Sequence, residues 1–284
     1  MVTSPESMPA VSRTALGVAG LRALESRRPD RLFADPYARA FFDAGRTLFP
    51  EFADTVEAAA KPGPASGLGA LFFPRVAIRT RFCDDYLLAA TAAGCEQVVL
   101  LAAGLDARAF RLAWPPRLRL FELDLPKVLE FKEEVLDQES ATARCTRIVV
   151  PVDLIDHWAD DLVDAGFQPE KRTAWLAEGL LIYLSYDEAS RLLTTVSELS
   201  PPGSQLSFEH SANRDGGLTA HVRSIPGSEP LTDLWKGGLA DRAPEWLAEH
   251  GWRTQTYSRS SLAAEYGRTL DQDFSGGFLI AVRR

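Results

Sequence analysis

Gly104, Asp124, Asp153 and Glu178 stand twenty, twenty-nine and twenty-five residues apart, each at the close of a short apolar run. Gly104 closes QVVLLAAG and Asp124 closes RLRLFELD, while Asp153 lies in VPVDL and Glu178 in TAWLAEG. Acids so placed accept hydrogen bonds from the hydroxyls and amines of a nucleoside-like ligand and attract a cationic group beside it. Ala102, Ala103 and Gly104 let the backbone approach such a ligand closely, although a tight strand-to-helix turn without a ligand uses the same residues. Asp124 lies about twenty residues past Gly104, the separation at which an acid reaches ribose hydroxyls in nucleotide-binding βαβ units. Glu122 is on the same side of its strand and is an equal candidate. Asp153 accepts from the exocyclic amine of adenine while Leu154 packs on the ring, or it caps the helix that follows.

The kind of adenosine ligand follows from what the turn lacks. A dinucleotide site needs three spaced glycines and a helix N-terminus aimed at pyrophosphate. Here the turn reads A-A-G-L-D-A-R, with no third glycine and with Asp106 where it repels phosphate, and no G-x-x-x-x-G-K-[ST] loop occurs. An adenosine cofactor without phosphate and with a sulfonium cation fits this acidic turn: S-adenosyl-L-methionine. Upstream, RVAIRTRFCDDYLL (75–88) is helical in character and dense in charge. One of Arg75, Arg79 and Arg81 can clamp the cofactor's carboxylate with two hydrogen bonds. Surface pairs such as Arg81 with Asp85 are the other use of such arginines.

The elements that must position these residues alternate along the chain. Strands are predicted at 97–104, 117–124, 147–153, 173–179, 204–210, 252–258 and 276–284, with helices at 126–138, 156–165, 186–199 and about 258–266. That rhythm makes an α/β fold: a mostly parallel, Rossmann-like sheet with helices on both faces and its ligand at the carboxyl ends of the strands. Residues 1–74 read as an N-terminal helical cap, with helices near 15–27 and 35–60 before the loop KPGPASGLG. Residues 75–284 form the cofactor-binding domain, interrupted after the fifth strand by a lid-like insertion at 211–243 that is rich in turn formers. Long connections of that kind are functional more often than average.

A formal net charge of −8 opposes a nucleic acid or an anionic membrane as partner, because polyanion binding needs a basic surface. The three cysteines, Cys83, Cys95 and Cys145, form no C-x-x-C pair, and the four histidines form no H-E-x-x-H, so neither a disulfide framework nor a metal site is expected. The opening MVTSPESMPAVSRTALGVAG lacks the basic-then-apolar order of a secretory signal, and no run reaches the roughly 18 apolar residues of a spanning helix. The expectation is a cytoplasmic protein with a small-molecule partner; nothing in the sequence specifies an oligomeric state.

Five ordered blocks, RTRFCDDYLL, QVVLLAAGLDARAFRL, FELDLPKVLEFK, VPVDL and TAWLAEGLLIYL, resemble the leucine carboxyl methyltransferase-like group of class I S-adenosylmethionine-dependent enzymes, including its actinobacterial branch. SRTAL (12–16) and LFADPYA (32–38) extend the resemblance toward the start. It implies seven strands, the last antiparallel. It also implies that Arg79 contacts the cofactor carboxylate, Gly104 the methionyl part, Asp124 the ribose, Asp153 and Leu154 the adenine, and Glu178 the amino end. Arg13 falls where the family places a basic cofactor contact. The family usually has glycine at position 102; Ala102 adds a methyl that tightens the pocket without abolishing binding.

The expected activity is transfer of a methyl group to a carboxylate or hydroxyl of a small molecule. A carboxylate is already a nucleophile, whereas a hydroxyl needs a base near neutral pH. His210, beside Glu209 at the end of the fifth strand, is the candidate base or else a structural histidine, and Tyr183 lines the methyl site or packs in the core. Two other classes compete: a cofactor-binding regulatory protein of the same fold without turnover, and an NAD(P)-linked reductase, which the missing glycines oppose.

Overall fold

The computed structural model describes residues 10–46, 56, 59, 67–210, 217–225, 228–270, 274 and 276–284. Helices α1 (Ala10–Ser26), α2 (Ala38–Arg46) and the long α3 (Gly67–Ala92) precede the first strand. Then β1 (Gln97–Leu101), α4 (Arg108–Arg111), β2 (Arg119–Asp124), α5 (Pro126–Gln138), β3 (Thr146–Pro151), α6 (Trp158–Asp164), β4 (Thr173–Ala177), α7 (Tyr186–Glu198) and β5 (Gln205–His210) alternate. After them come α8 (Gly217–Arg223), α9 (Glu229–Thr232), α10 (Ala243–Glu249), β6 (Trp252–Ser258), α11 (Arg259–Glu265) and β7 (Gly277–Arg283). Local chemistry sets several of these bounds. Pro126 occupies the first turn of α5, where its missing N–H is no loss. Ser185 and Glu188 close a reciprocal capping box at the start of α7.

The seven strands lie in the order β3-β2-β1-β4-β5-β7-β6. β1 to β5 are parallel, and β7 runs antiparallel to both β5 and β6. All five residues of β1 are buried, as a strand covered on both faces must be. On one face Val98, Leu100 and Leu120 meet Ile78, Phe82 and Leu87 of α3, Phe131 of α5 and Leu262 of α11. On the other, Val99, Phe121 and Trp175 meet Trp158 and Leu162 of α6, Leu193 of α7 and Trp246 of α10. Each fully buried side chain of this size contributes roughly 1.5–3 kcal/mol, so the two layers fix the sheet.

The predicted strands are present; β1, β3 and β4 end two or three residues earlier than predicted, at Leu101, Pro151 and Ala177, while β2 and β5 end at Asp124 and His210 as predicted. β1 stops at Leu101 because Ala102 turns into the left-handed region, at φ 53°, and leaves the ladder. The boundary expected between residues 74 and 75 falls inside α3, which carries Pro74. The expected helix at 35–60 is described as α2, and most of 47–60 lies outside the described residues. The 211–243 insertion contains α8 and α9, while 211–216 and 226–227 lie outside the described residues.

Glu122 does not reach the carboxyl edge of the sheet. Its carboxylate, fully buried, sits 2.7 Å from Lys132 Nζ of α5, also fully buried, and 2.7 Å from Arg147 Nη2 of β3. Without Lys132 the fully buried Glu122 keeps only Arg147, which it shares with Glu133, so its charge is left undercompensated. Lys132→Met is therefore expected to lower unfolding free energy by about 3 kcal/mol. The double variant Glu122→Gln/Lys132→Met should recover most of it, as read from urea midpoints at unchanged m. A single variant as stable as the wild type would show the pair to be dispensable.

Candidate functional site

In a parallel sheet the chain must leave the carboxyl edge in opposite directions somewhere, and here it does so between β1, which leads outward to β2 and β3, and β4, which leads to β5. The crevice at such a switch point is where ligands bind in open α/β sheets. A cavity of about 1110 Å³ occupies it, lined by the ends of β1, β2, β4 and β5, by α1 and by the insertion. Ligand pockets typically span about 300–1,000 Å³, so there is room for a cofactor and an acceptor together.

Ala102, Gly104, Asp124, Asp153, Leu154, Glu178, Tyr183, His210 and Arg79 all line this one cavity. The β1 turn is built on two left-handed residues, Ala102 at φ 53° and Gly104 at φ 48°. A Cβ on Gly104 would meet nothing closer than 3.6 Å, so its backbone angle rather than its packing asks for glycine. Asp124 holds the turn in place: Oδ2 accepts from Gly104 N at 2.6 Å and Oδ1 from Leu125 N at 2.7 Å. Burial pushes the Asp124 carboxyl above the usual range, and these two amide bonds pull it back only in part.

Asp153 is exposed, and its Oδ1 accepts from Ile155 N at 3.0 Å. It does not cap α6, whose N-cap is His157. Leu154 is half-buried and packs against the α6–α7 face of the core.

Glu178, the first residue beyond β4, is gripped from two sides. Its Oε1 lies 2.8 Å from Arg79 Nε, and its Oε2 accepts from Arg108 Nη1 at 2.7 Å. Burial opposes its charge most strongly, yet Arg108, Arg79 and the more distant Arg22 together bring it down to about 2. Arg79 Nη1 also donates to Glu209 Oε1 at 3.0 Å, and Glu209 Oε2 accepts from Gly179 N at 2.6 Å. Gly179 has φ 64°, and a Cβ there would stand 3.3 Å from Arg79 Nη1. Among the three arginines of 75–81, Arg79 and Arg75 line the cavity, whereas Arg81 pairs with Asp85 on the surface at 2.8 Å.

Tyr183 lies on the 3₁₀ turn Leu181–Tyr183 after β4, and its hydroxyl donates to Thr14 Oγ1 of α1 at 3.3 Å. His210 ends β5 opposite Gly277 of β7 and is half-buried. Arg13 belongs to α1, but its side chain lies outside the described residues. The sequence reading missed Arg108 and Arg22, whose Nη2 donates to Leu105 O at 2.5 Å. The signal for Arg108 was a charge within the apolar run A-R-A-F on a helix that must pack against the sheet. Among the described residues no group of three or more His, Cys, Asp or Glu is arranged to hold a metal ion, and no helix is long and apolar enough to cross a membrane.

This strand order, with its cavity at the β1–β4 crevice, is that of the class I methyltransferases. The sequence profile named leucine carboxyl methyltransferase matches residues 15–197, and the chain belongs to that family. Proteins of Parafrankia sp. (46% identical over 278 residues, covering 96% of this chain and 87% of theirs) and Frankia alni (50% over 281, covering 96% and 95%) are similar along almost their whole length. Each carries the name "Putative S-adenosyl-L-methionine-dependent methyltransferase". The solved structure of a possible exported protein from Bordetella parapertussis shares the fold, with a TM-score of 0.51 at 13% identity, covering 100% of this chain and 99% of its own.

Ala102 stands at φ 53°, a backbone angle that glycine favours. An L-residue in the left-handed region is strained by roughly 1–2 kcal/mol. Ala102→Gly is accordingly expected to raise stability by about 1 kcal/mol, seen as a higher urea midpoint. A midpoint that stays put or falls would mean that the turn carries no strain.

Proposed function

We propose that this protein transfers a methyl group from S-adenosyl-L-methionine to an oxygen, carboxylate or hydroxyl, of a small organic acceptor. The observation that carries this reading is the convergence of Gly104, Asp124, Asp153 and Glu178 on one cavity whose turn lacks phosphate-binding glycines. The donor set fits the cofactor. Ionised Glu178 and buried Asp106 favour a cation at the β1–β4 crevice, and Asp106 disfavours a phosphate there.

Bound there, S-adenosyl-L-methionine would supply an electrophilic methyl group on its sulfonium for an acceptor oxygen, with S-adenosylhomocysteine as the leaving group. The chain's own work is alignment and exclusion of water. Each Asp124 oxygen, having accepted one amide, keeps a lone pair for the ribose hydroxyls. Asp153 and Leu154 take the adenine, Gly104 and Ala102 the methionyl chain, Arg79 the carboxylate and Glu178 the amino end, with Arg13 as a further basic contact. The other half of the cavity, with Leu181, Ile182, Leu234 and Trp235 in its wall, suits an acceptor with an apolar body. His210 and Tyr183 face the same space, His210 as the base when the acceptor is a hydroxyl.

Calorimetry with S-adenosylhomocysteine tests the cofactor half. Asp124→Ala should weaken binding by roughly 1–3 kcal/mol, about 5–150-fold in Kd. Tight NAD binding with no response to the homocysteine product would overturn the reading. A transfer assay with labelled cofactor over a panel of carboxylic acids and phenols tests the other half. With a phenol, His210→Gln is expected to slow transfer about 10²–10⁴-fold at neutral pH, and with a carboxylate to leave it nearly unchanged. Equal losses on both would remove His210 as a base.

A further inference from the structure

Arg108 is not part of the cavity wall, yet it touches two of the carboxylates that are. Its side chain is only 2% exposed. From the first turn of α4, Nε donates to Asp84 Oδ1 of α3 at 2.7 Å, and Nη1 donates both to Asp106 and, at 2.7 Å, to Glu178 Oε2. Nη2 approaches Thr80 O at 3.4 Å. The backbone of Arg108 is held too, its N–H donating to Asp106 Oδ1 at 2.6 Å. A second arginine, Arg111, braces Asp84 from behind at 2.6 Å.

We propose that Arg108 is the positioning residue of the methionyl end of the cofactor site: from behind the cavity wall it fixes the rotamer of Glu178 and keeps that carboxylate charged before any ligand arrives. This rests on the reading that Glu178 takes the cofactor's amino end. Glu178 has two grips. Arg79 is shared with Glu209 and lines the cavity, so a ligand carboxylate competes for it. Arg108 does not line the cavity, so a ligand there does not compete for it. Such prior orientation removes a reorganisation penalty from binding.

Charge counting supports the assignment. Asp84, Asp106, Glu178 and Glu209 carry four negative charges, and Arg79, Arg108 and Arg111 carry three positive ones, in one connected network. Four minus three leaves one negative charge, and a ligand whose ammonium meets Glu178 while its carboxylate meets Arg79 leaves that count unchanged. Without Arg108 the surplus is two, and burial then favours a proton on Glu178. Lysine cannot substitute: its single Nζ cannot span Asp84 on one side and Glu178 on the other as a planar fork does.

Glu178 is faced by Arg79 and Cys83 from α3, Arg108 from α4, Arg22 from α1, Asp106 from the β1 turn and Glu209 from β5. Burial keeps the Cys83 thiol neutral, so it does not titrate against Glu178 in the working range. Asp124, whose carboxyl burial raises, adds a pH response of its own that is common to every variant and cancels in the comparison.

The test is the Kd of S-adenosylhomocysteine from pH 5.5 to 8.5 for the wild type, Arg108→Gln, Glu178→Gln and the double variant. At pH 8 each single variant should bind about tenfold more weakly, as loss of a hydrogen bond to a charged group implies. The double variant should be within about twofold of Glu178→Gln, because residues acting as one unit are not additive. Relative to the wild type, the Arg108→Gln curve should weaken further as pH falls and Glu178, short of one positive neighbour, takes up its proton. Effects that multiply, or a pH curve parallel to the wild type, overturn the proposal. Wild-type affinity in Glu178→Gln overturns the underlying reading of Glu178 instead, and is distinguished by that variant alone. Asp84→Asn loosens Arg108 from the α3 side without entering the cavity, and guards against misfolding of Arg108→Gln. Because it removes a negative charge rather than a positive one, it should weaken binding at pH 8 by less than about tenfold with no steepening toward low pH, and unchanged affinity in a folded Asp84→Asn counts against the proposal.

Discussion

Burying charge beneath the carboxyl edge of the sheet is the constraint on which the rest of the site depends. Asp106 and Glu178 stay ionised in the buried wall because Arg79 and Arg108 lie against them, and Asp84, Glu209 and Arg111 extend the same ion-pair network. The partners come from α3, α4, the β1 turn and the ends of β4 and β5, so satisfying the charges also fixes how those elements meet. A rigid acidic wall results, at the point where two halves of the sheet diverge.

The β1 turn is the second fixed part of the site. Asp124 accepts the Gly104 amide, which orients the turn and leaves the same carboxylate facing the cavity. In the proposed reading, structure and ligand recognition thus share one side chain. Ala102 keeps a left-handed angle that its Cβ disfavours, which means that the surrounding bonds dictate the backbone there. The cysteines have no part in this: burial pushes Cys95 to about 11 and Cys145 to about 12, leaving them as inert core thiols.

Segments far apart in sequence close the cavity. Tyr183 reaches Thr14 across 169 positions, and Arg22 fastens α1 to Leu105 across 83. The insertion is tied down by three amides: Lys236 and Gly237 donate to Ile182 O, and Gly238 donates to Leu184 O. A Cβ on Gly238 would come within 2.5 Å of Leu181 O, so the strap can lie this close only at glycine. The turn that carries Tyr183 is therefore held from both the N-terminal helix and the insertion.

Gly104, Asp124, Asp153 and Glu178 were legible in the sequence because a parallel sheet sends every strand's carboxyl end to one edge, where period and spacing identify the last residues. The absence of phosphate-binding glycines was equally legible, being a property of the turn alone. Choosing between neighbours was not. Glu122 and Asp124 share a side of β2, and only Lys132 and Arg147, arriving from α5 and β3, withdraw Glu122 from the site. Arg79 and Arg81 differ by two positions on one helix, and the packing of α3 sends the first into the cavity and the second to the surface. Arg108 left a signal in the sequence, a charge within an apolar run, but its partners were not legible, since Asp84, Asp106 and Glu178 converge on it from three elements. Local sequence determines which residues stand at the ends of strands; long-range packing decides which of them keep a free face, because it alone supplies the opposite charges.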